Sequence, residues 1–363
     1  MQKQILCFLP GVGTDGITKI MMDLYSQFDK DYYNIEIMTF KIEDTIFVKE
    51  NYKIHELCKN IFRRYLQEYS IIKQNQYDIV HVNGNIFSRF LECMIAKLGG
   101  TKRVIIHSHN TGSSNLSKVK RILNKCLKSF FIPFCDVYLT CSDLAARWLF
   151  PKKIIESKKV IKINNGIETD KFIFNDEIRT KYRKNLNIEN KLVIGHIGRF
   201  EEQKNHEFLI DVFKKVYQKN NNSVLILIGV GKLQEKIRYK VKELGLENSI
   251  LFLNQREDIN NLFMAMDVFV LPSKFEGFPI VLVEAQMSGI NVFLSDTITS
   301  EAKINDNVEF LSLQEDVEDW ADIILNHSKD YDRTKCIKPI LNCDFDIKNS
   351  AKKLEQLYFK ILN

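Results

Sequence analysis

One rhythm constrains this chain more than any other feature. Short apolar runs recur from end to end: QILCFL, NIEIMTF, DIVHVN, RVIIHSH, DVYLTC and KVIKIN, then LVIGHIG, SVLILIG, ILFLN, DVFVLP and NVFLS. Many are continuous rather than alternating, as expected for parallel strands buried on both faces. The segments between them carry helical spacing, which predicts βαβ units and open parallel sheets. At 363 residues the chain exceeds one ordinary core, and 45% hydrophobic residues suffice to fill two. The pattern restarts after the polar, turn-rich NNGIETDKF, a predicted hinge at Asn165-Gly166. The expectation is an α/β chain of two facing Rossmann-like domains, 1–165 and 166–345. A terminal amphipathic helix, 346–363, would pack back toward the first, with Asp346 as its cap and Ile347, Ala351, Leu354, Leu357, Tyr358 and Ile361 on one face.

Composition excludes several classes. The eight cysteines form no CxxC pair, so they read as reduced small hydrophobes and neither a disulfide frame nor a zinc site. The opening MQKQILCFLPGVG reads as a first strand and turn, with no leader pattern, and no apolar run reaches spanning length. The net charge of +6 is uneven: Thr101 to Asn165 holds thirteen Lys and Arg against Asp136, Asp143 and Glu156, and the remainder sums to −4. Such a block points to an anionic partner on that face.

Ligands of open α/β sheets sit beyond the carboxyl ends of the strands. DVFVLP is followed there by SKFEGF, and Pro279 suits the first turn of the helix IVLVEAQMSG, which closes near Gly289. Glu276 then lies in the loop and Glu284 about two turns along the helix. The N–H groups near Gly277 to Val281 make an anion site favoured by the helix dipole. One ligand with hydroxyl-rich ends flanking a diphosphate would touch all of these; the same spacing also suits a surface helix residue and a solvated loop residue. Arg199 and Lys204 follow LVIGHIG, where two cations can hold a diphosphate, although a solvated basic loop reads the same way. Gly229-Val230-Gly231-Lys232 follows the next strand, so three loops converge on one edge.

GRFEEQKNH, the GVGK turn, DVFVLPSKFEGFPIVLVEAQMSG and NNGIETDKF together resemble glycosyltransferase family 4, and IIHSHNT and SDTITSEAKINDNVEFL are similar to its polysaccharide-building members. The resemblance implies the GT-B fold and a retaining, metal-independent enzyme using a nucleotide diphosphate sugar, UDP-linked. As catalytic residues it implies His109, near the reacting sugar, and Glu276, on the donor sugar's hydroxyls. It implies Glu284 on the ribose, Arg199 and Lys204 on the diphosphate, and the segment at Arg256 beside the base. Gly16 and Gly229 would let backbone approach the phosphates, with Gly277 and Phe278 completing the donor loop. It implies no cofactor, the nucleotide sugar being a substrate, and no nucleic-acid partner. The acceptor would be a growing glycan or lipid-linked oligosaccharide, which sets the chain in the cytoplasm, peripheral to the inner membrane face. Two departures stand out: no adjacent Gly pair occurs among Gly11, Gly13 and Gly16, and Val230 stands where the family often has Asp.

Three further features need a reading. Asp344-Phe345-Asp346 spells DxD, a metal motif of another glycosyltransferase fold; its place before the terminal helix makes Asp346 a cap, and no metal site is expected. His107 precedes His109 by two residues, so one of the two is structural. In SKVKRILNKCLKSFFIPF, Val119, Ile122, Leu123, Cys126, Leu127, Phe130 and Phe131 share a helical face, with Lys118, Lys120, Arg121, Lys125 and Lys128 on the rest. That pattern fits an anionic membrane surface and also a sheet-covering helix with a solvated basic face, which the apolar stripe favours. The alternatives to a transferase are a sugar-nucleotide 2-epimerase on the same fold and a non-catalytic partner subunit.

Overall fold

The computed structural model describes residues 2–12, 16–42, 52–84, 89–109, 132–276, 278–327, 333 and 344–363. The predicted basic helix at 118–128 and Gly277 lie outside them. The chain divides into two compact units, Met1–Ile167 with Asp344–Asn363, and Glu168–Cys343.

The first unit holds a seven-stranded parallel sheet: β1 (Lys3–Leu9), β2 (Tyr33–Thr39), β3 (Lys53–Glu56), β4 (Ile79–Asn83), β5 (Arg103–Ser108), β6 (Val137–Thr140) and β7 (Val160–Lys162). Their order in space is β3-β2-β1-β4-β5-β6-β7. The second unit holds six: β8 (Leu192–Ile197), β9 (Ser223–Ile228), β10 (Ile250–Phe252), β11 (Val268–Leu271), β12 (Asn291–Ser295) and β13 (Val308–Leu311). Their order is β10-β9-β8-β11-β12-β13, again all parallel. Both orders reverse direction once, between β1 and β4 and between β8 and β11. Those two switch points are where such sheets open a crevice.

The interior strands are the apolar runs of the sequence. β4, β9, β11 and β12 are buried along their whole length, which only helices on both faces allow. No apolar run singled out above corresponds to β3 or β13. Both are sheet edges, and β3 (KIHE) is exposed at its two ends and half-buried between them. An edge strand lacks a neighbour on one side, so polar residues are tolerated there.

Helix starts follow local capping chemistry. Asn60 accepts from the N–H groups of Phe62 and Arg63, Ser142 from Ala145 and Asn175 from Ile178. Asp346 accepts from the Lys348 N–H at 2.8 Å and opens the helix Ile347–Leu362. That helix buries Ile347, Ala351, Leu354 and Tyr358 in the first unit, with Leu357 and Ile361 half-buried. The two segments crossing between units are tied to each other. Ile167 N–H donates to Phe345 O at 2.9 Å and Ile347 N–H to Ile167 O at 2.9 Å. Gly166 permits this: a Cβ there would stand 2.7 Å from the Ile347 Cα.

Candidate active site

In the second unit, adjacent strands β9, β8 and β11 bring their carboxyl-end loops together. The β8 loop carries Arg199, Gln203 and Lys204; the β11 loop carries Glu276. Lys204 Nζ lies 2.7 Å from Glu276 Oε1 and Gln203 Nε2 donates to Glu276 Oε2 at 3.0 Å. Gln203 also donates to Phe275 O, and its own carbonyl accepts from the Lys274 N–H at 2.8 Å, so the two loops are laced by backbone as well. Glu276 is buried and Lys204 is only 15% exposed. A buried carboxylate is tolerable because it is paired and hydrogen-bonded.

The β9 loop fits against this. Gly229 has φ +139°, and a Cβ there would lie 2.2 Å from the Gly198 carbonyl oxygen, so only glycine lets the two loops meet. The Lys204 stem packs beside Gly198 and the His196 ring. His196 donates from Nδ1 to Val270 O at 2.8 Å, which ties β8 to β11 and leaves Nε2 as its lone-pair nitrogen. Burial holds His196 well below its ordinary value and pulls His206 down to about 4, with Lys204 adding to both.

The helix Ile280–Met287 begins after Pro279, which takes the cap position one residue ahead of the predicted first turn. Among the described residues, no side chain caps its N–H groups. Gly289 ends it at φ +70°. The helix is buried on nearly every side, and Glu284 is buried with it, as is Phe278. This removes the reading of Glu276 and Glu284 as solvated surface residues.

Arg199 differs from Lys204. Its side chain is 70% exposed and only approaches Glu201, at 3.6 Å. Arg256 lies past the edge strand β10, in a two-pronged pair with Asp258 at 2.8 and 2.6 Å. The Tyr182 hydroxyl donates to the same carboxylate at 2.8 Å, and the Arg256 pairing chiefly holds Asp258 below the usual carboxylate range.

In the first unit, Gly16 opens the helix Gly16–Ser26 after β1, with open space where a Cβ would stand. His109 follows β5 and is buried. Asn83, at the end of β4, donates through Nδ2 to the Phe8 and His81 carbonyls at 3.2 and 3.4 Å. Its Oδ1 therefore faces His109 Nε2, 2.7 Å away, and takes that nitrogen's proton in a hydrogen bond. Burial pulls His109 down to about 4, with Asn165 opposing, so the ring is neutral at pH 7. His107 is fully buried beside it: its ring lies 3.9 Å from that of His109, and its Nδ1 is 3.2 Å from His81 Nε2. His81 Nδ1 in turn meets the Tyr358 hydroxyl at 2.5 Å and that of Tyr25 at 3.1 Å.

Two family profiles match the chain, "Glycosyltransferase Family 4" over residues 14–171 and "Glycosyl transferases group 1" over 178–339. The chain belongs to the family 4 glycosyltransferases. Among curated relatives of this glycosyltransferase, EpsF of Bacillus subtilis (strain 168), which carries the glycosyltransferase name, is 29% identical over 89% of this chain and 87% of its own. The Escherichia coli UDP-Gal:alpha-D-GlcNAc-diphosphoundecaprenol alpha-1,3-galactosyltransferase is 24% identical over 96% and 94%. Anabaena Alr3699/HepE, solved in complex with UDP and glucose, superposes with a TM-score of 0.81 at 19% identity, covering 98% of this chain and 99% of that one. This likeness fixes the fold of the glycosyltransferase as GT-B. Among its described residues, no helix is long and apolar enough to cross a membrane.

Sequence reasoning missed Gln203, Asn83, Asp258 and Tyr182. Gln203 sits inside the quoted GRFEEQKNH and had a local signal. Asp258, two residues from Arg256, had one too, whereas Asn83 and Tyr182 act through partners far away in sequence.

Proposed function

We propose that this glycosyltransferase is a retaining, metal-independent enzyme that moves a sugar from a UDP-linked donor to a lipid-linked oligosaccharide or growing polysaccharide. The observation that carries the reading is the Lys204–Glu276 pair at the second switch point, its carboxylate buried and its cation half-buried, beside a helix start whose N–H groups no side chain caps among the described residues. A nucleotide sugar presents two anionic phosphates between hydroxyl-bearing sugars, and this arrangement supplies a partner for each part. Lys204 and the helix start take the diphosphate, Glu276 accepts from the donor sugar's hydroxyls and Glu284 from the ribose. Arg199, solvated in the free protein, closes on the outer phosphate, and the Arg256 loop borders the base.

As the sugar–phosphate bond breaks, negative charge grows on the leaving diphosphate. In this reading Lys204, held by Glu276 beside that position, offsets the charge with little reorganisation. No protein nucleophile is assigned: the leaving phosphate helps to take the acceptor's proton on the same face of the sugar. His109, neutral and oriented by Asn83, borders the reacting sugar. The relatives' names support the acceptor class, since one acts on a diphosphoundecaprenol-linked sugar and another, CapH of Staphylococcus aureus, is named for capsular polysaccharide biosynthesis.

A donor screen tests the reading. UDP release is measured for a panel of UDP-sugars with membrane lipid extract as acceptor, with and without EDTA. Acceptor-dependent UDP release that survives EDTA is expected. Conversion of a UDP-sugar without any acceptor would turn the assignment to an epimerase, and restoration by manganese or magnesium after loss in EDTA would overturn metal independence.

A further inference from the structure

The turn before β2 and the helix Ile347–Leu362 enclose a cavity of about 320 Å³, lined by Asp29, Tyr32, Tyr33, Glu355, Gln356 and Phe359. All six belong to the first unit. Glu355 and Phe359 are four residues apart on the helix and so stand on one face, with Gln356 beside them. Across from them, Tyr32 and Tyr33 meet edge to face with ring centroids 4.8 Å apart, and the Tyr32 ring lies 6.2 Å from that of Phe359. Tyr33 is buried, Tyr32 half-buried and Phe359 exposed, so the aromatic wall reaches from the core to water.

The charge on this cavity has one sign. Asp29 Oδ1 accepts the Asp31 N–H at 2.9 Å, and Glu355 Oε1 accepts the Asp29 N–H at 3.0 Å. These bonds hold both carboxylates in place, yet among the described residues neither is in an ion pair. Lys352, Lys353 and Lys360 of the same helix are exposed and are not among the residues that line the cavity. Burial chiefly, then Glu355, Tyr32 and Asp29, push the Tyr33 hydroxyl up to about 12, so it stays neutral beside the carboxylates. The faces of aromatic rings carry negative partial charge as well, and they attract a cation placed over them. An anion would be repelled here, and a neutral apolar ligand would strip water from two carboxylates with nothing in return. A divalent metal ion needs several converging oxygens, and the described residues contain no group of three such ligands. An organic cation suits both features, with an apolar stem for the rings and a charge for the carboxylates.

The cavity is remote from the chemistry of its unit. β2 begins at Tyr33, so the cavity stands at the amino edge of the sheet, whereas Asn83 and His109 stand at its carboxyl edge. We propose that it binds an alkylammonium or guanidinium group, the stem against the Tyr32 and Phe359 rings and the charge beside Asp29 and Glu355. Two sources carry that group: a free polyamine, and a Lys or Arg side chain of another protein chain. The site goes beyond the transferase reading and does not depend on it.

Calorimetry on the full chain at low ionic strength tests the proposal with three probes: spermidine, Nα-acetylarginine amide and Nα-acetylcitrulline amide, the neutral isostere of the second. Both cations are expected to bind, and the citrulline compound at least about tenfold more weakly. Asp29→Asn with Glu355→Gln removes the charge and keeps an acceptor oxygen for each N–H, and weakens both cations at least about tenfold. Tyr32→Leu with Phe359→Leu keeps apolar surface without the ring faces, and weakens them about fivefold. Both variants keep the parent's circular dichroism spectrum and its rate of UDP release. Spermidine binding more than about tenfold tighter than the arginine compound assigns the site to a free polyamine, and any smaller ratio to a protein side chain. In the second case, light scattering that shows a parent dimer and a monomeric Asp29/Glu355 variant makes the partner a second copy of this chain. No binding of either cation would overturn the proposal, as would equal binding of the citrulline compound or undiminished binding by the Asp29/Glu355 variant. The titration uses neither donor nor acceptor, so its failure leaves the transferase reading standing.

Discussion

The two sheets share one topology and furnish their switch points differently. Beside β8 and β11 the polar groups are charged: the Lys204–Glu276 pair, with Arg199 in solvent nearby. Among the described residues at the ends of β4 and β5 they are neutral: Asn83, His109 and His107. The charged pair of that neighbourhood, Arg89 with Glu92 at 3.0 Å, is turned to the core, where the guanidinium lies over the Phe8 and Phe40 rings. The backbone thus supplies the same crevice twice, and a few side chains decide whether it suits an anion or a neutral hydroxyl compound. Fold alone does not assign the two roles.

The largest expected effect breaks the charged side. Lys204→Ala removes the half-buried cation and, among the described residues, leaves Glu276 with Gln203. The rate constant kcat should fall at least 100-fold, or about 2.7 kcal/mol of transition-state stabilisation. Steady-state UDP release on the folded variant measures this, and a loss below tenfold would detach Lys204 from the diphosphate. The two glutamates come next. Glu284→Ala is expected to weaken binding of free UDP about thirtyfold by calorimetry, whereas Glu276→Ala slows sugar transfer more than it weakens UDP. Equal UDP losses in both would reject the division of labour.

A third prediction concerns buried neutral histidine, present in both units. His206 titrates near 4 in the folded chain against about 6.5 when unfolded. The unfolded state therefore binds the extra proton first, and this contribution to stability is whole above pH 6.5 and is lost as pH falls toward 4. His206→Gln should reduce the stability lost between pH 7.5 and 5.5 by about 1.4 kcal/mol, measured by urea unfolding. An unchanged pH slope would show that the ring is not held neutral. The smallest effect is Arg199→Ala. A side chain so exposed in the free protein contributes less than Lys204, and about a fivefold loss in kcat/KM is expected. A loss matching that of Lys204→Ala would erase the distinction between the two cations.

Much of this was legible in the residues themselves. Continuous apolar runs located eleven strands, and only the edges β3 and β13 escaped, because half-buried edges need no such run. Glu276, Lys204 and Glu284 were readable as occupants of loops and a helix at one sheet edge. Their bonding was not. Lys204 meets Glu276 across 72 positions because β8 adjoins β11, a pairing set by crossover topology and invisible to local spacing. Asn83 reads in sequence as a strand end and nothing more. Its role arises only when β1, β4 and β5 lie side by side and place Phe8, His81 and His109 around one amide.

The pairing of Ile167 with Asp346 means that residues 168–343 enter and leave the first unit at one place. The first unit is thus completed by a helix that the ribosome delivers after the second unit. Until Ile347–Leu362 emerges, Tyr25 and His81 lack the Tyr358 hydroxyl, and the sites that Ile347 and Leu354 fill stay open. Closing a contact across 333 residues is entropically slow in a loose chain. A second unit that folds first draws its own ends together and shortens that loop to a few residues. Vectorial synthesis therefore makes the second unit a folding aid for the first, and nascent chains stalled between the two are the ones that holdase chaperones and proteases would meet with an unfinished core.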